Sequence, residues 1–233
     1  MLRSLAFNLS YIAWTTALAV LGLPLLATRR STQWLARLWA RGILSLARRL
    51  CGIVPRIRGI EYIAAGPAIY AVKHQSALDI YLLIQLLPQP AFVLKKELMR
   101  LPLIGWYLKR AGMVPVDRKR GAKALRFMQE EALNALRRRQ ALVIFPEGTR
   151  MPPGKSGRYQ RGVAALYQAL KVPVVPVALA TGQCWGRNAL KKHPGTASLR
   201  FLPPIAPGQH AGEFMTQLRE AIEGESKRMS DEG

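Results

Sequence analysis

Two polar islands interrupt otherwise apolar runs in this chain, and their residue types are suited to chemistry. The first is His74-Gln75-Ser76-Ala77-Leu78-Asp79; the second is Phe145-Pro146-Glu147-Gly148-Thr149-Arg150. An imidazole and a carboxylate make a general base and its orienting partner: the carboxylate fixes one ring nitrogen and leaves the other to deprotonate a hydroxyl. The second island supplies a carboxylate, a glycine-opened backbone, a hydroxyl and a guanidinium. On one continuous helix the spacing of His74 and Asp79 amounts to about 500°, which leaves the side chains about 140° apart. They meet if a helix begins between them. Ser76 has the chemistry of an N-cap, and Asp79, three positions on, that of the acidic partner in a capping box. No Gly-x-Ser-x-Gly elbow is present, which favours direct attack by a substrate alcohol over a protein nucleophile. On spacing alone, the bland alternative is that Asp79 only caps a helix and His74 is an ordinary loop histidine.

Each island follows an apolar run short enough to be a buried strand. Residues 68–72 end at Lys73-His74, 92–94 at Lys95-Lys96, 113–116 at Asp117-Arg118, and 142–145 at Pro146-Glu147. Residues 172–178 and 197–202 read as further strands. Helical periodicity marks 78–87, 122–139 and 213–228, with Leu125, Met128, Ala132, Leu133 and Leu136 along one side of the second. This alternation predicts a single α/β domain over 55–233, with a largely parallel sheet flanked by helices. Open sheets of that kind place chemistry beyond the carboxyl ends of their strands, so the islands are expected on one edge. The loop 150–159, with Pro152, Pro153, Gly154 and Gly157, reads as a mobile flap.

Residues 1–54 have a different character and are expected to anchor the chain to a membrane. Residues 5–27 carry no charge and are mostly apolar, and about 20 such residues cross a bilayer core as a helix. Pro24 marks a kink or an end. Arg29, Arg30, Arg37, Arg41, Arg48 and Arg49 follow, which by the positive-inside rule puts the rest of the chain in the cytoplasm. Residues 31–50 form a basic amphipathic pattern, with Trp34, Leu35, Leu38 and Trp39 at helical spacing. A single span and a helical hairpin in one leaflet both fit. A cleavable signal peptide processed near Ala17-Leu18-Ala19 competes, but the apolar run continues past that site.

The formal charge of +22 demands an anionic partner. The basic residues come singly or in twos and threes, without a zinc-knuckle, zipper or stacking motif, so no nucleic acid is expected. Cys51 and Cys184 are the two cysteines, too few for a disulfide framework and without metal-ligand spacing.

In this order and spacing the blocks resemble those of the glycerolipid acyltransferase family, in particular its bacterial 1-acyl-sn-glycerol-3-phosphate branch. His74 to Asp79 looks like the family's Asn-His-x4-Asp block. Gly112-Met113-Val114-Pro115-Val116-Asp117-Arg118 is similar to its Gly-x-x-x-Ile-Asp-Arg block. Phe145-Pro146-Glu147-Gly148-Thr149-Arg150 matches Phe-Pro-Glu-Gly-Thr-Arg, and Val172-Pro173-Val174-Val175-Pro176-Val177 resembles Val-Pro-Ile-Val-Pro-Val. Lys73 stands where the family often has Asn, and Met151 where Ser often follows the arginine.

The resemblance implies an enzyme that moves an acyl group from acyl-CoA or acyl-carrier protein to the sn-2 hydroxyl of 1-acyl-sn-glycerol-3-phosphate (lysophosphatidic acid), giving phosphatidic acid. It implies His74 as base and Asp79 as its orienter. Arg118 would grip the acceptor phosphate with help from Lys95 and Arg150, because guanidinium groups bind phosphate bidentately and lysine adds a point charge. Glu147 is assigned to glycerol hydroxyls or to holding an arginine; Gly148 and Thr149 give close backbone approach and a hydroxyl donor. Backbone N–H groups at the start of the helix after His74 are the expected oxyanion donors. No metal and no organic cofactor is expected, the acyl donor being a substrate. The implied setting is the bacterial inner membrane, among anionic lipids, with the catalytic domain on the cytoplasmic side. The rival readings are the same chemistry on another lyso-lipid, such as a lyso-ornithine lipid, and a non-catalytic binder of anionic membranes or nucleic acid.

Overall fold

The computed structural model describes residues 1–117 and 121–232. Its centre is a seven-stranded sheet of β1 (Ile53–Arg58), β2 (Ile69–Val72), β3 (Ala91–Lys95), β4 (Val114–Val116), β5 (Leu142–Ile144), β6 (Val174–Ala180) and β7 (Gly195–Phe201). The order is β1-β7-β6-β2-β5-β3-β4. Strands β6, β2, β5, β3 and β4 run parallel to one another, β7 pairs antiparallel with β6, and β1 pairs parallel with β7.

Helices cover both faces, as a mostly parallel sheet requires. Pleating sends alternate side chains to opposite sides. Tyr70 and Val72 of β2 join a core with α1 (Leu2–Leu21), α2 (Arg29–Cys51) and α3 (Leu78–Leu86). Ile69 and Ala71 join the opposite core with α5 (Gly121–Arg137), α6 (Arg161–Leu170) and α7 (Ala211–Asp231). The sequence expectations for β2 to β7 hold to within a few residues. Three elements lie outside those expectations: β1, α6 and α4 (Ile104–Ala111). Strand β1 carries exposed Val54, Arg56 and Arg58 between its inward residues, because it closes one edge of the sheet, and it runs across the 54/55 line drawn between anchor and domain.

The N-terminal helices form an antiparallel hairpin. α1 ends at Leu21, and Pro24 sits in the first turn of a short 3-10 helix, Leu23–Ala27. α2 then starts at an N-cap, Thr28, whose Oγ1 accepts from Ser31 N at 3.1 Å. The helices approach closely at Gly42, where a Cβ would fall 2.3 Å from Trp14 Nε1. Trp14 Nε1 donates to Trp39 O at 3.2 Å, and Trp39 Nε1 to Thr15 Oγ1 at 3.0 Å. The tryptophans of α2 therefore divide: Trp39 packs edge-on against Tyr81 of α3 at 5.0 Å, whereas Trp34 faces outward.

Candidate active site

Parallel pairing puts the carboxyl ends of β2, β5, β3 and β4 side by side. His74, Glu147, Lys95 and Asp117 follow or close those ends, so the polar islands share one sheet edge as expected. The ladder carries on one residue past β2, where Lys73 N donates to Val177 O at 3.0 Å. The chain then turns into α3, whose N-cap is Ala77 rather than the expected Ser76, through hydrogen bonds made by Ser76 and Asp79. Ser76 Oγ accepts from Leu78 N at 3.1 Å, and Asp79 reaches back so that its Oδ2 accepts from Ser76 N at 2.9 Å and Gln75 N at 2.8 Å. This start of the helix between the two residues is what lets them meet. His74 Nδ1 lies 2.9 Å from the same Oδ2.

Asp79 is fully buried, and its other oxygen accepts from Thr181 Oγ1 at 2.5 Å. With Oδ2 already receiving two backbone N–H groups, the matching role for Nδ1 is donor, which leaves the Nε2 lone pair to take a proton. The imidazole stacks on Phe145 at 3.9 Å and 20°, and Phe145 stacks in turn on Phe92 at 6.2 Å. The side chain of His74 keeps 13% of its surface open. The geometry provides an oriented imidazole that remains open to solvent.

The same hydrogen bonds alter one expectation. The N–H groups of Gln75 and Ser76 are given to Asp79 and that of Leu78 to Ser76 Oγ, so these three are engaged inside the protein and are not oxyanion donors.

Glu147 is placed differently from its assignment. It is buried, and its Oε1 accepts from Lys73 Nζ at 2.9 Å and from Gly157 N at 2.8 Å. Its partner is thus the lysine before His74, not an arginine and not an open cleft. Gly148 takes φ +65, where a side chain would be strained, and its N–H returns to Phe145 O at 2.9 Å. Thr149 is exposed and Arg150 half-buried, with Nη2 at 3.5 Å from Asn188 Oδ1. Met151 N donates to His74 O at 2.8 Å, tying the two islands together. Lys95 is exposed at the end of β3, and Lys96 beside it pairs with Asp117 at 2.9 Å. Arg118 lies outside the described residues.

The loop 150–159 is not the free flap its prolines and glycines suggested. It is held at Met151, Gly157 and Tyr159, and by Lys155 O, which accepts from Lys73 Nζ at 3.0 Å. Two further contributors carried no assigned role. Thr181 holds Asp79, and Gln75 Oε1 accepts from Thr181 N at 3.0 Å and Gly182 N at 3.1 Å. A polar residue directly after the all-apolar β6, on the same edge as the islands, was the signal for Thr181. Among the described residues no cluster of three His, Cys, Asp or Glu side chains is arranged to hold a metal ion.

Comparison with known proteins agrees with this arrangement. Residues 54–180 match the family model described as Acyltransferase. The chain is 32% identical over 207 residues to a 1-acyl-sn-glycerol-3-phosphate acyltransferase of Pseudomonas aeruginosa, covering 89% of this chain and 79% of the relative. It is 30% identical over 201 residues to 1-acyl-sn-glycerol-3-phosphate acyltransferase alpha of Mus musculus, covering 84% and 70%. The crystal structure of the 1-acyl-sn-glycerophosphate (LPA) acyltransferase of Thermotoga maritima superimposes with a TM-score of 0.81 at 22% identity, over 98% of this chain and 96% of that one. That likeness shows the fold.

Proposed function

The chain belongs to the acyltransferase family, and from that premise we propose that it acylates the sn-2 hydroxyl of 1-acyl-sn-glycerol-3-phosphate to give phosphatidic acid. The observation that carries this reading is the dyad itself, His74 Nδ1 at 2.9 Å from a buried Asp79. Nε2 takes the proton of the sn-2 hydroxyl as its oxygen attacks the carbonyl of an acyl thioester. The tetrahedral intermediate collapses with cleavage of the carbon–sulfur bond, and the proton held by His74 passes to the departing thiolate. Asp79 keeps the ring oriented through both transfers. Acyl-CoA or acyl-carrier protein is the donor, and either is anionic enough to suit the +22 charge.

Lys95, Arg118 and Arg150 serve as the cations for the acceptor phosphate, and Gly148 and Thr149 as the backbone turn and hydroxyl beside it. Glu147 acts from behind the site, because Lys73 and Gly157 already occupy its carboxylate.

The hairpin of α1 and α2 lies in one leaflet of an anionic membrane, with the catalytic domain on the cytoplasmic side of the bacterial inner membrane. α1 is long and apolar enough to cross a bilayer, but both of its ends are fastened to the catalytic domain. Asn8 Nδ2 donates to Leu190 O at 2.9 Å, and Phe7, fully buried, packs on Trp185 at 5.1 Å. Tyr107 Oη of α4 donates to Ala19 O at 2.9 Å. A perpendicular span would break these contacts. Leu5, Leu9 and Ile12 of α1, with Ile104 and Trp106 of α4, stay exposed and face the lipid.

The test is acceptor discrimination. In detergent, kcat/KM for labelled acyl transfer to 1-acyl-glycerol-3-phosphate is compared with that for 1-acyl-glycerol, which lacks the phosphate. The proposal requires a preference of about a hundredfold or more, the scale of lost charge-assisted pairs. Equal use of the two acceptors contradicts the phosphate assignment.

A further inference from the structure

The most unusual feature outside the dyad is a buried charge cluster directly behind it. Lys73 is 1% exposed, and each of its three ammonium hydrogens has an acceptor. Glu147 Oε1 lies at 2.9 Å, Lys155 O at 3.0 Å, and the carboxylate of Glu223 at 2.8 and 2.6 Å through its two oxygens. Glu223 also accepts from Tyr159 Oη at 2.9 Å. Arg219, one turn earlier on α7, donates to Ser156 Oγ at 3.3 Å. The cluster joins three separate stretches: the end of β2, the loop between β5 and α6, and α7.

Its position gives it a purpose beyond packing. Lys73 is the residue before His74. Glu147, which Lys73 fixes, also has its Oε2 at 3.5 Å from His74 N, and Gly157 N completes its hold on the loop beside the base. Two carboxylates thus converge on this one ammonium. The second of them, Glu223, comes from α7, beyond residues 54–180 that match the family model.

We propose that Glu223 is a positioning residue for the acyl transfer proposed above: it neutralises Lys73 and, through Lys73 and Glu147, holds the His74 backbone and the loop 155–159 in catalytic register. The C-terminal helix is therefore part of the active-site machinery. Lys73 and Glu223 form a matched pair, so replacing both is less damaging than replacing Lys73 alone. Lys73→Asn leaves two carboxylates facing each other around one phenol; Lys73→Asn with Glu223→Gln removes one of those charges.

The experiment uses the full-length protein in detergent, with two readouts on wild type, Glu223→Gln, Lys73→Asn and the double variant. The first is kcat and KM for 1-acyl-glycerol-3-phosphate. The second is the rate at which diethylpyrocarbonate modifies His74, followed by mass spectrometry, which needs no substrate. Glu223→Gln is isosteric and is the variant most certain to fold. It should lower kcat roughly tenfold to hundredfold, the usual scale for displacement of a catalytic group, with KM changed by less than about threefold, and it should alter the His74 modification rate. The double variant should recover about tenfold in kcat over Lys73→Asn. A Glu223→Gln protein with wild-type kcat and wild-type His74 reactivity overturns the proposal, as does a folded double variant no better than Lys73→Asn. A wild type without turnover on this acceptor contradicts the function instead; the His74 reactivities of wild type and Glu223→Gln then still decide the positioning role.

Discussion

Lys73 and His74 are neighbours in the chain, yet their side chains leave on opposite faces of the sheet. His74 turns to Asp79 on α3, whereas Lys73 turns to Glu223 on α7. One strand end thus carries the His74–Asp79 pair on one side and the Lys73 charge cluster on the other.

Lys73 should accordingly be worth far more than a surface lysine. Its side chain and that of Glu147 are each 1% exposed, and removing one partner of a buried pair leaves an uncompensated charge. Lys73→Met is expected to destabilise the fold by about 3–5 kcal/mol in urea unfolding, whereas most exposed ion pairs are worth under about 1 kcal/mol. A loss no larger than that of a surface pair would show that the cluster is solvated.

Thr181→Val keeps the shape of the side chain and removes the hydroxyl that donates to Asp79 Oδ1. A buried carboxylate oxygen then lacks a donor, at a cost of about 1–3 kcal/mol. Because Asp79 orients His74, kcat should fall about tenfold while the acceptor KM stays within about twofold. Full kcat in the folded variant would remove Thr181 from the mechanism.

The dyad was legible because it is local: a histidine after a strand end and an aspartate in the first turn of the next helix lie within six consecutive residues. The strand-then-island pattern likewise announced the parallel sheet. Thr181, Lys73 and Glu223 were not legible in the same way, because their partners are 102, 74 and 150 positions distant and only the strand order brings them together. β1 was hidden by Pro55 and by arginines on its outward face, a pattern open to an edge strand but unlike a buried one. α6 was hidden by the Pro- and Gly-rich loop that precedes it. The Lys73–Glu147 pair was not legible because Glu147 was assigned to glycerol hydroxyls or to an arginine, whereas the fold brings a buried lysine to it.

Tyr159 makes a prediction about alkaline pH. Burial first, and Glu223 beside it second, push its phenol far above the usual value. Below about pH 10 both folded and unfolded chains hold this proton; above it the unfolded chain releases it and the folded one does not. The folded state then binds more protons, so stability falls as pH rises. Tyr159→Phe loses a hydrogen bond, and about 1 kcal/mol, at neutral pH. It should nonetheless show a shallower loss of stability than wild type above about pH 10, measured by urea unfolding across that range. Parallel pH profiles would mean that Tyr159 ionises freely in the folded protein.

The proposed membrane attachment depends on the outward face of α1. Leu5, Leu9 and Ile12 are 56%, 61% and 59% exposed, and each contributes about 1.5–3 kcal/mol when transferred from water to hydrocarbon. Replacing all three with Gln should weaken binding to anionic vesicles by about a hundredfold or more in co-sedimentation. Unchanged binding that disappears in high salt would assign attachment to the basic residues alone.

The most direct test of the account is transfer of a labelled acyl group to 1-acyl-glycerol-3-phosphate by wild type and by His74→Ala, both supplied with acyl-CoA and acyl-carrier-protein donors and both verified as folded. The account predicts labelled phosphatidic acid from wild type and a rate lower by about a hundredfold or more from the variant. Equal product from the two proteins would contradict it, because the oriented imidazole would then have no part in the reaction.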